Sequence, residues 1–176
     1  MDLKEKSILV VGAGAIGGIS AAFLKNAGYD VEIVCKYEDY RDIIVNRGIA
    51  VSGARGELRE KMDAHVSIKD TGARKDIIFL AVKATDMIEA AEDLRPFLKP
   101  DSLLVSMQNG ICEPELAKML GNDHIVGCIV GWGASMEKPG ELLMTSAGDF
   151  VIGYIDRPGD DRLAGIAEIM SVIHPV

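Results

Sequence analysis

Apolar and polar residues alternate along the first 130 positions in blocks of strand length and helix length. Five short blocks are rich in apolar and β-branched residues, which is typical of strands covered on both faces of a sheet. They read "SILVVGA" from position 7, "DVEIVCK" from 30, "DIIFLAV" from 76, "SLLVSMQ" from 102 and "HIVGCIV" from 124. The pattern predicts five strands in this part of the chain.

Helical patterns separate these strands. We expect helices over residues 15–27, 39–48, 85–98 and 113–120, the first of them ended by Gly28. Residues 49–68 alternate around a Gly-Ala-Arg-Gly turn and predict an inserted antiparallel hairpin. The alternation of strand and helix predicts an α/β fold with a Rossmann-type, doubly wound and mainly parallel sheet.

The pattern changes after about residue 131. Residues 140–155 predict two strands joined by glycine-containing turns, which we expect to extend or cap the sheet in antiparallel fashion. The last segment predicts a helix whose apolar positions fall on one face: Leu163, Ile166, Ile169, Met170 and Ile173. That stripe either packs on the sheet or leads into a further domain. We expect residues 1–176 to form one domain.

Composition and charge narrow the class of protein. Hydrophobic residues make up 48% of the 176 positions and charged residues 26%, as in soluble globular proteins. The net charge of −8 argues against a nucleic-acid surface, which needs a basic face. Three widely spaced cysteines without metal-ligand spacing indicate reduced core thiols in a cytoplasmic protein: Cys35, Cys112 and Cys128. No metal site is predicted.

One apolar segment resembles an export signal. Residues 7–24 carry no charge and follow two lysines, but they contain several glycines. Each glycine costs about 1 kcal/mol against alanine in a helix, so a fixed turn explains them better than a membrane helix does. We therefore expect neither export nor membrane insertion.

The segment "VVGAGAIGG" carries the first candidate chemistry. It places Gly12, Gly14 and Gly17 in GxGxxG spacing between a strand and a helix. The first glycine allows a tight turn, the second lets the backbone approach a pyrophosphate, and the third lets helix and strand pack closely. The amides at the start of the helix would then bind the anion. The spacing favours dinucleotide binding over a purely structural turn.

The end of the second strand usually selects the cofactor. Enzymes that prefer NAD place an acid there for the ribose hydroxyls. Cys35 takes that position here, and Lys36 follows it. A cation would attract a 2′-phosphate, so we expect NADP, although Lys36 could also be a solvated surface residue.

Polar residues follow two further strands. Lys83 comes after "DIIFLAV", and Asn109 ends "VSMQNG". Ligands of open α/β sheets lie outside the carboxyl ends of the strands, so both residues are candidate site residues. Asn109 is expected both to turn the chain and to face the ligand. The histidines, His65, His124 and His174, share no spacing and are interpreted as structural, and Trp132 as a packing residue.

Taken together, these motifs resemble ketopantoate reductase (2-dehydropantoate 2-reductase). The resemblance runs through "GAGAIGG", Lys36, "VKATD", "VSMQNGI" and "GWGASMEKPGE…GDFVIG". It implies reduction of 2-dehydropantoate to pantoate with NADPH, on the route to pantothenate and coenzyme A. It implies cofactor contacts by the glycine loop (Gly12, Ala13, Gly14, Ala15, Ile16 and Gly17), by Lys36, and by residues 131–134 including Ala134. Lys83 and Asn109 would contact both cofactor and substrate.

The resemblance also implies a division of labour. The proton-donating lysine and a cofactor-binding glutamate of that family lie in a C-terminal helical domain, beginning about where this sequence ends. The chain is therefore expected to be the cofactor-binding part, inactive alone. Two alternatives stay open: a reductase of another 2-oxo acid, and a non-catalytic dinucleotide-sensing module. The expected partner is a small 2-oxo acid, and a homodimer is left open.

Overall fold

The structure, a computed structural model, describes residues 3–176. Its strands are β1 (Ser7–Val11), β2 (Asp30–Val34), β3 (Ile49–Gly53), β4 (Leu58–Glu60), β5 (Asp63–His65), β6 (Lys75–Leu80), β7 (Leu98–Ser106), β8 (Ile125–Val130), β9 (Gly133–Lys138), β10 (Glu141–Ser146) and β11 (Phe150–Gly153). Its α-helices are α1 (Ala15–Asn26), α2 (Glu38–Asn46), α3 (Met87–Leu94), α4 (Glu113–Leu120) and α5 (Asp161–Ser171).

Seven strands form the main sheet, in the order β11-β8-β7-β6-β1-β2-β5. All neighbouring pairs from β8 to β5 are parallel, and β11 pairs antiparallel with β8 at the edge. The chain runs outward from β1 through β2 to β5, then returns to β6 on the other side of β1. This reversal is the topological switch point at which doubly wound sheets bind ligands. The predicted Rossmann-type sheet is confirmed.

The other four strands form a small sheet in the order β4-β3-β10-β9. The predicted hairpin exists as the antiparallel pair β3–β4, but β10 adds to it in parallel, and β9 pairs antiparallel with β10. Only β11 therefore extends the main sheet in antiparallel fashion as expected. Strand β9, whose pattern is mixed and exposed, was not predicted. Leu142 and Met144 of β10 are buried in the core that this small sheet shares with α1.

Two further segments depart from the sequence-based expectation. The end of the expected hairpin region, β5, leaves the small sheet and pairs in parallel with β2. The helix expected over residues 85–98 is shorter, because 3-10 turns occupy residues 84–86 and 95–97 on either side of α3. Pro96 lies in the second turn; a proline ring cannot continue an α-helix without losing a backbone hydrogen bond.

Hydrophobic cores lie on both faces of the main sheet. Along β1 the side chains alternate, so Ile8 and Val10 face α1, α5 and the small sheet, whereas Leu9 and Val11 face α3 and α4. The apolar stripe of α5 belongs to the first core, where Ile166, Ile169, Met170 and Ile173 are buried. Of the two alternatives for this stripe, the structure shows packing on the main sheet. Full burial of each such side chain contributes about 1.5–3 kcal/mol.

The apolar N-terminal segment forms β1, the glycine loop and α1. Among residues 3–176, no helix combines the length and the apolar character needed to span a bilayer. The three cysteines are free and buried. Burial raises the pKa of the Cys128 thiol to about 12, so this thiol is neutral at physiological pH.

Candidate cofactor site

The glycine loop connects β1 to α1 at the switch point. Gly12 has a φ of +109°, and a Cβ there would lie 2.8 Å from backbone atoms of Ala81 and Val82. A Cβ on Gly17 would lie 2.0 Å from the carbonyl oxygen of Gly12. Gly12 therefore has the backbone angle of a tight turn and Gly17 allows helix and strand to pack closely, as their spacing predicted.

Gly14 differs from both of them. It is exposed, it occupies the N-cap position of α1, and a Cβ there would meet no atom within 4 Å. Packing within the chain does not explain a glycine at this position, whereas a close approach of a ligand to the backbone would. The loop also contains Ala13, which is buried, and leads into Ala15 and Ile16, which are half-buried. The predicted binding loop thus has one open position, at the start of α1.

Lys83 and Asn109 lie at the carboxyl ends of the parallel strands, the same end of the main sheet as the glycine loop. Leu80 pairs with Ser106 at the carboxyl ends of β6 and β7, and the two candidate residues follow this pair by three positions each. The strand pairing continues beyond the strands, since the amides of Ala81 and Met107 donate to the carbonyl oxygens of Val11 and Leu80 over 2.8 and 3.0 Å. Both candidate side chains are exposed. The structure therefore brings both residues to the carboxyl end of the main sheet.

Asn109 and Gly110 both lie in the bend that follows β7. Positive φ angles occur only at glycines among residues 3–176, and Gly110 carries the one in this bend, with a φ of +101°. The place of Asn109 agrees with the expectation that it helps to turn the chain, and its contact with a ligand stays a prediction. Its exposed amide is free to serve a ligand.

Lys36 follows the carboxyl end of β2, at the same end of the main sheet as the glycine loop. The amide of Gly12 donates to Val34 across β1 and β2 over 3.0 Å, and Cys35 donates to His65 over 2.9 Å. Cys35 is buried, and burial raises the pKa of its thiol despite the lowering effect of the Arg41 charge. The position of the usual acid is thus neutral, and Lys36 is exposed beside it.

The nearest acids do not replace the missing carboxylate. Glu32 lies within β2 and is occupied, since it accepts a hydrogen bond from buried Lys75 and lies 3.0 Å from Nε2 of His65. Asp39, in the first turn of α2, accepts from the amide of Tyr40 over 2.9 Å. The exposed cation Lys36 therefore comes directly after β2 and Cys35, whereas the exposed acid Glu38 lies two residues further on, at the start of α2.

Ala134 lies on β9, where it pairs with Met144 of the small sheet. Its strand begins three residues after β8 ends, through the segment that contains Trp132. Ala134 is half-buried. A cofactor contact by Ala134 still depends on the family resemblance.

Two residues beside the candidate site were not predicted. The ring of Tyr37 is 62% exposed and directly follows Lys36, so it offers a flat face for stacking. Gln108 is buried, and its Oε1 accepts a hydrogen bond from the Ser106 hydroxyl over 2.7 Å. Gln108 and Asn109 line an open groove of about 500 Å³ between the loop after β7 and strands β8 and β11. The sequence pattern pointed to this position only through the amide pair Gln108–Asn109 after a predicted strand; nothing in it pointed to Tyr37.

The histidines and Trp132 have structural contacts. His65 pairs with Glu32, and Nδ1 of His124 lies 2.8 Å from the carbonyl oxygen of Ser102. Trp132 packs against Phe150 and His174, as its interpretation as a packing residue required. Within residues 3–176 no three His, Cys, Asp or Glu side chains are grouped so that they could hold a metal ion.

The fold and the loop define the class of protein: this is a Rossmann-type α/β domain of the kind found in ketopantoate reductase structures. The backbone is similar to 2-dehydropantoate 2-reductase from Geobacter metallireducens, with a TM-score of 0.87 and 24% identity over 96% of this chain and 56% of that one. D-mandelate dehydrogenase with NADH and anilino(oxo)acetate has a TM-score of 0.84 at 21% identity, covering 95% of this chain and 54% of that one.

Sequence comparison gives the family. Residues 8–157 match the family model of ketopantoate reductase PanE/ApbA, and the chain belongs to this family. It is 29% identical to 2-dehydropantoate 2-reductase of Pyrococcus abyssi over 164 residues, which are 93% of this chain and 53% of that protein. The same enzyme of Aquifex aeolicus is 30% identical, over 82% of this chain and 46% of its own length. The chain thus spans about half the length of the curated relatives that it matches.

Proposed function

We propose that this chain is the cofactor-binding part of an NADP(H)-dependent reductase of 2-oxo acids, with 2-dehydropantoate as its substrate. The observation that carries the proposal is the position of Lys83 and Asn109, which follow the paired residues Leu80 and Ser106 by three positions each. Two polar side chains thereby lie at the carboxyl end of the main sheet, where the backbone of Gly14 is also exposed. In this role the protein would act in the route to pantothenate and coenzyme A.

The residues present fit a dinucleotide. Gly14 leaves room above the first turn of α1, where unpaired amides and the helix dipole favour a pyrophosphate. Because burial keeps Cys35 neutral and Lys36 is exposed, the end of β2 suits the 2′-phosphate of NADP better than the free hydroxyl of NAD. Tyr37 could stack on the adenine, since base–aromatic stacking is worth about 1–3 kcal/mol.

When bound, the dinucleotide supplies or accepts the hydride. The chain's own residues would orient the reactants beside it, an effect that contributes a large part of many enzymatic rate enhancements. The Asn109 amide can donate to an oxygen of the substrate or of the nicotinamide carboxamide, and the Lys83 ammonium can balance negative charge at the same end of the sheet. By the family resemblance, the proton for the product hydroxyl would come from a lysine in the helical half of the full-length enzyme.

Two other functions are compatible with the same fold. The likeness to D-mandelate dehydrogenase, whose structure holds anilino(oxo)acetate, supports another 2-oxo acid as the alternative substrate. A non-catalytic dinucleotide sensor would need the glycine loop but not Lys83 and Asn109, so the pair favours the reductase.

The test is a calorimetric titration of the chain with NADP⁺ and NAD⁺, followed by assays of the full reading frame with a panel of 2-oxo acids. The proposal predicts tighter binding of NADP⁺, and oxidation of NADPH by 2-dehydropantoate at a higher kcat/KM than with the other acids. Binding of neither nucleotide would contradict the cofactor site. Binding without turnover by the full reading frame would favour the sensor.

A further inference from the structure

Trp132, the only tryptophan of the chain, lies in the connection between β8 and β9 and is 4% exposed. Its ring meets Phe150 edge-on, with 5.8 Å between the centroids and 86° between the planes. It stacks on His174 at 6.3 Å and 25°. One side chain thus links the segment of residues 131–134 to the start of β11 and to the residues after α5.

The backbone on either side of Trp132 is tightly held. The Gly131 amide donates to the Asp149 carbonyl oxygen and the Gly133 amide to the Ser146 hydroxyl, both over 2.9 Å. A Cβ on Gly131 would lie 2.5 Å from that same Asp149 oxygen. Because the indole extends from this closely packed segment, its contacts with Phe150 and His174 contribute to the position of residues 131–134.

His174 closes the other side of the stack. It is 4% exposed, and neither of its ring nitrogens has a hydrogen-bond partner among residues 3–176. The residues beside it are held in place, since the Phe150 amide donates to the Pro175 carbonyl oxygen over 2.7 Å and Nη2 of Arg55 donates to that of Val172 over 3.3 Å. The imidazole is therefore confined against the indole.

A proton on His174 would be poorly accommodated. Burial lowers the pKa of this imidazole, and the charge of Arg55, from the turn between β3 and β4, lowers it further; Asp149, before β11, opposes them. An imidazolium would gain a cation–π contact with the indole, but it would lose its hydration without gaining an acceptor. A cation–π contact is a modest attraction even when it is desolvated, whereas burying a charge without a hydrogen-bond partner costs more than that, so the loss outweighs the gain.

We propose that Trp132 and His174 form a proton-sensitive clamp that positions residues 131–134 for nucleotide binding: neutral His174 holds the indole in place, and protonation releases it. The inference rests on the proposed function, because it takes residues 131–134 to border the nucleotide. Trp132 and His174 are thus positioning residues rather than ligand contacts. The clamp is closed above about pH 6.5, the ordinary pKa of histidine. It opens as the pH falls through the pKa of His174 in the folded protein, which is lower.

The single tryptophan permits a direct test by fluorescence. We expect the emission maximum of the chain to move to longer wavelength as the pH is lowered from about 7.5 to about 5, because the released indole meets water. H174F, which keeps an aromatic stack without a titrating group, should show no such shift. H124N removes a distant histidine and should behave like the parent chain. A shift of equal size in H174F, or none in the parent chain, would overturn the clamp.

The link to the nucleotide is tested with NADP⁺, which withstands acid better than the reduced form. Over the same pH range its affinity should fall about tenfold more for the parent chain than for H174F; titration of the 2′-phosphate affects both proteins equally and cancels. Equal losses would show that the clamp does not serve the nucleotide, while the fluorescence result would stand. If the parent chain bound no NADP⁺ at pH 7.5, the proposed function would fail, and this link with it.

Discussion

A β-carbon on Gly17 would lie 2.0 Å from the carbonyl oxygen of Gly12. The two glycines thus fix the distance between the start of α1 and the end of β1 without any ligand. Gly14, between them in the chain, has no such neighbour. The same motif therefore contains positions that serve packing and a position left open, and mutation can separate the two.

Gly17→Ala is expected to destabilise the fold, because the added methyl group would overlap backbone that cannot move independently. Overpacking of this kind costs about 1–3 kcal/mol. Gly14→Ala should cost less, no more than the roughly 1 kcal/mol of a less favourable N-cap residue, yet weaken NADP⁺ binding, because the methyl group occupies the space above the helix start. Thermal unfolding and calorimetry of both variants check this pair. Unchanged NADP⁺ affinity in Gly14→Ala would mean that its openness is not functional.

Lys36→Glu should reverse the nucleotide preference. A hydrogen bond to a charged group contributes about 1.5–3 kcal/mol, so NADP⁺ affinity should fall by about tenfold or more while NAD⁺ affinity is kept or improved. Lys118→Glu makes the same charge change on α4 and is the matched control. If both variants weakened NADP⁺ equally, the effect would come from net charge and not from the end of β2.

Asn109→Ala should weaken ligand binding by more than it weakens folding. Gly110 supplies the positive φ angle of this turn, and the Asn109 side chain is exposed, so the unfolding temperature should change little. Gly110→Ala is the complementary variant and should lower it, because a side chain is strained at this φ. Chemical denaturation and nucleotide titration of both variants separate the roles. A loss of stability in Asn109→Ala with unchanged nucleotide affinity would show that Asn109 serves the turn and not a ligand.

Low pH should lower the free energy of unfolding through protonation of Asp76, which lies near the amino end of β6 in the main sheet. Burial alone would raise the pKa of this carboxyl, but hydrogen bonds from Lys99 and from the amide and hydroxyl of Ser7 lower it to about 2. Because the folded pKa lies below the unfolded value, the stabilisation is complete above about pH 4 and is lost as the pH falls towards 2. The contribution is on the order of 2 kcal/mol.

Asp76→Asn removes this pH dependence. The variant should be less stable than the parent at neutral pH, and the difference should shrink between about pH 4 and pH 2. Denaturation at a series of pH values measures it. NADP⁺ affinity at neutral pH should stay unchanged, since the residue lies at the opposite end of the strands from the glycine loop. A constant difference across the acid range would assign the effect to packing.

Residues 1–176 alone should bind cofactor without measurable turnover of 2-dehydropantoate. By the family resemblance, the general acid and most substrate contacts belong to the helical half of the enzyme, and a positioned acid contributes about 10²–10⁴-fold. The fall in NADPH absorbance compares this chain with the full reading frame. A similar rate from both would place catalysis here and make Lys83 the first residue to mutate.

The parallel sheet and the strand-end residues could be predicted because local patterns encode them. Strands buried on both faces, such as β1, leave uninterrupted apolar blocks, and the helix stop at Gly28 is a local signal. The small sheet could not be predicted in this way. Its parallel pair joins Ala50 to Glu141, and no pattern within either strand specifies a partner so distant. The ring of Tyr37 was missed because exposure beside a strand end depends on how α2 begins.

That long-range pair also orders the events of folding. The residues of β10 pair with those of β3 that lie about 90 positions earlier in the chain, whereas β1 and β2 meet after a single short crossover. Closing a longer loop costs more chain entropy, and distant pairings slow folding. We expect the main sheet around β1 to form first, with the small sheet completing it late. During synthesis, the outward face of α1 would then stay uncovered until residues near 146 have left the ribosome.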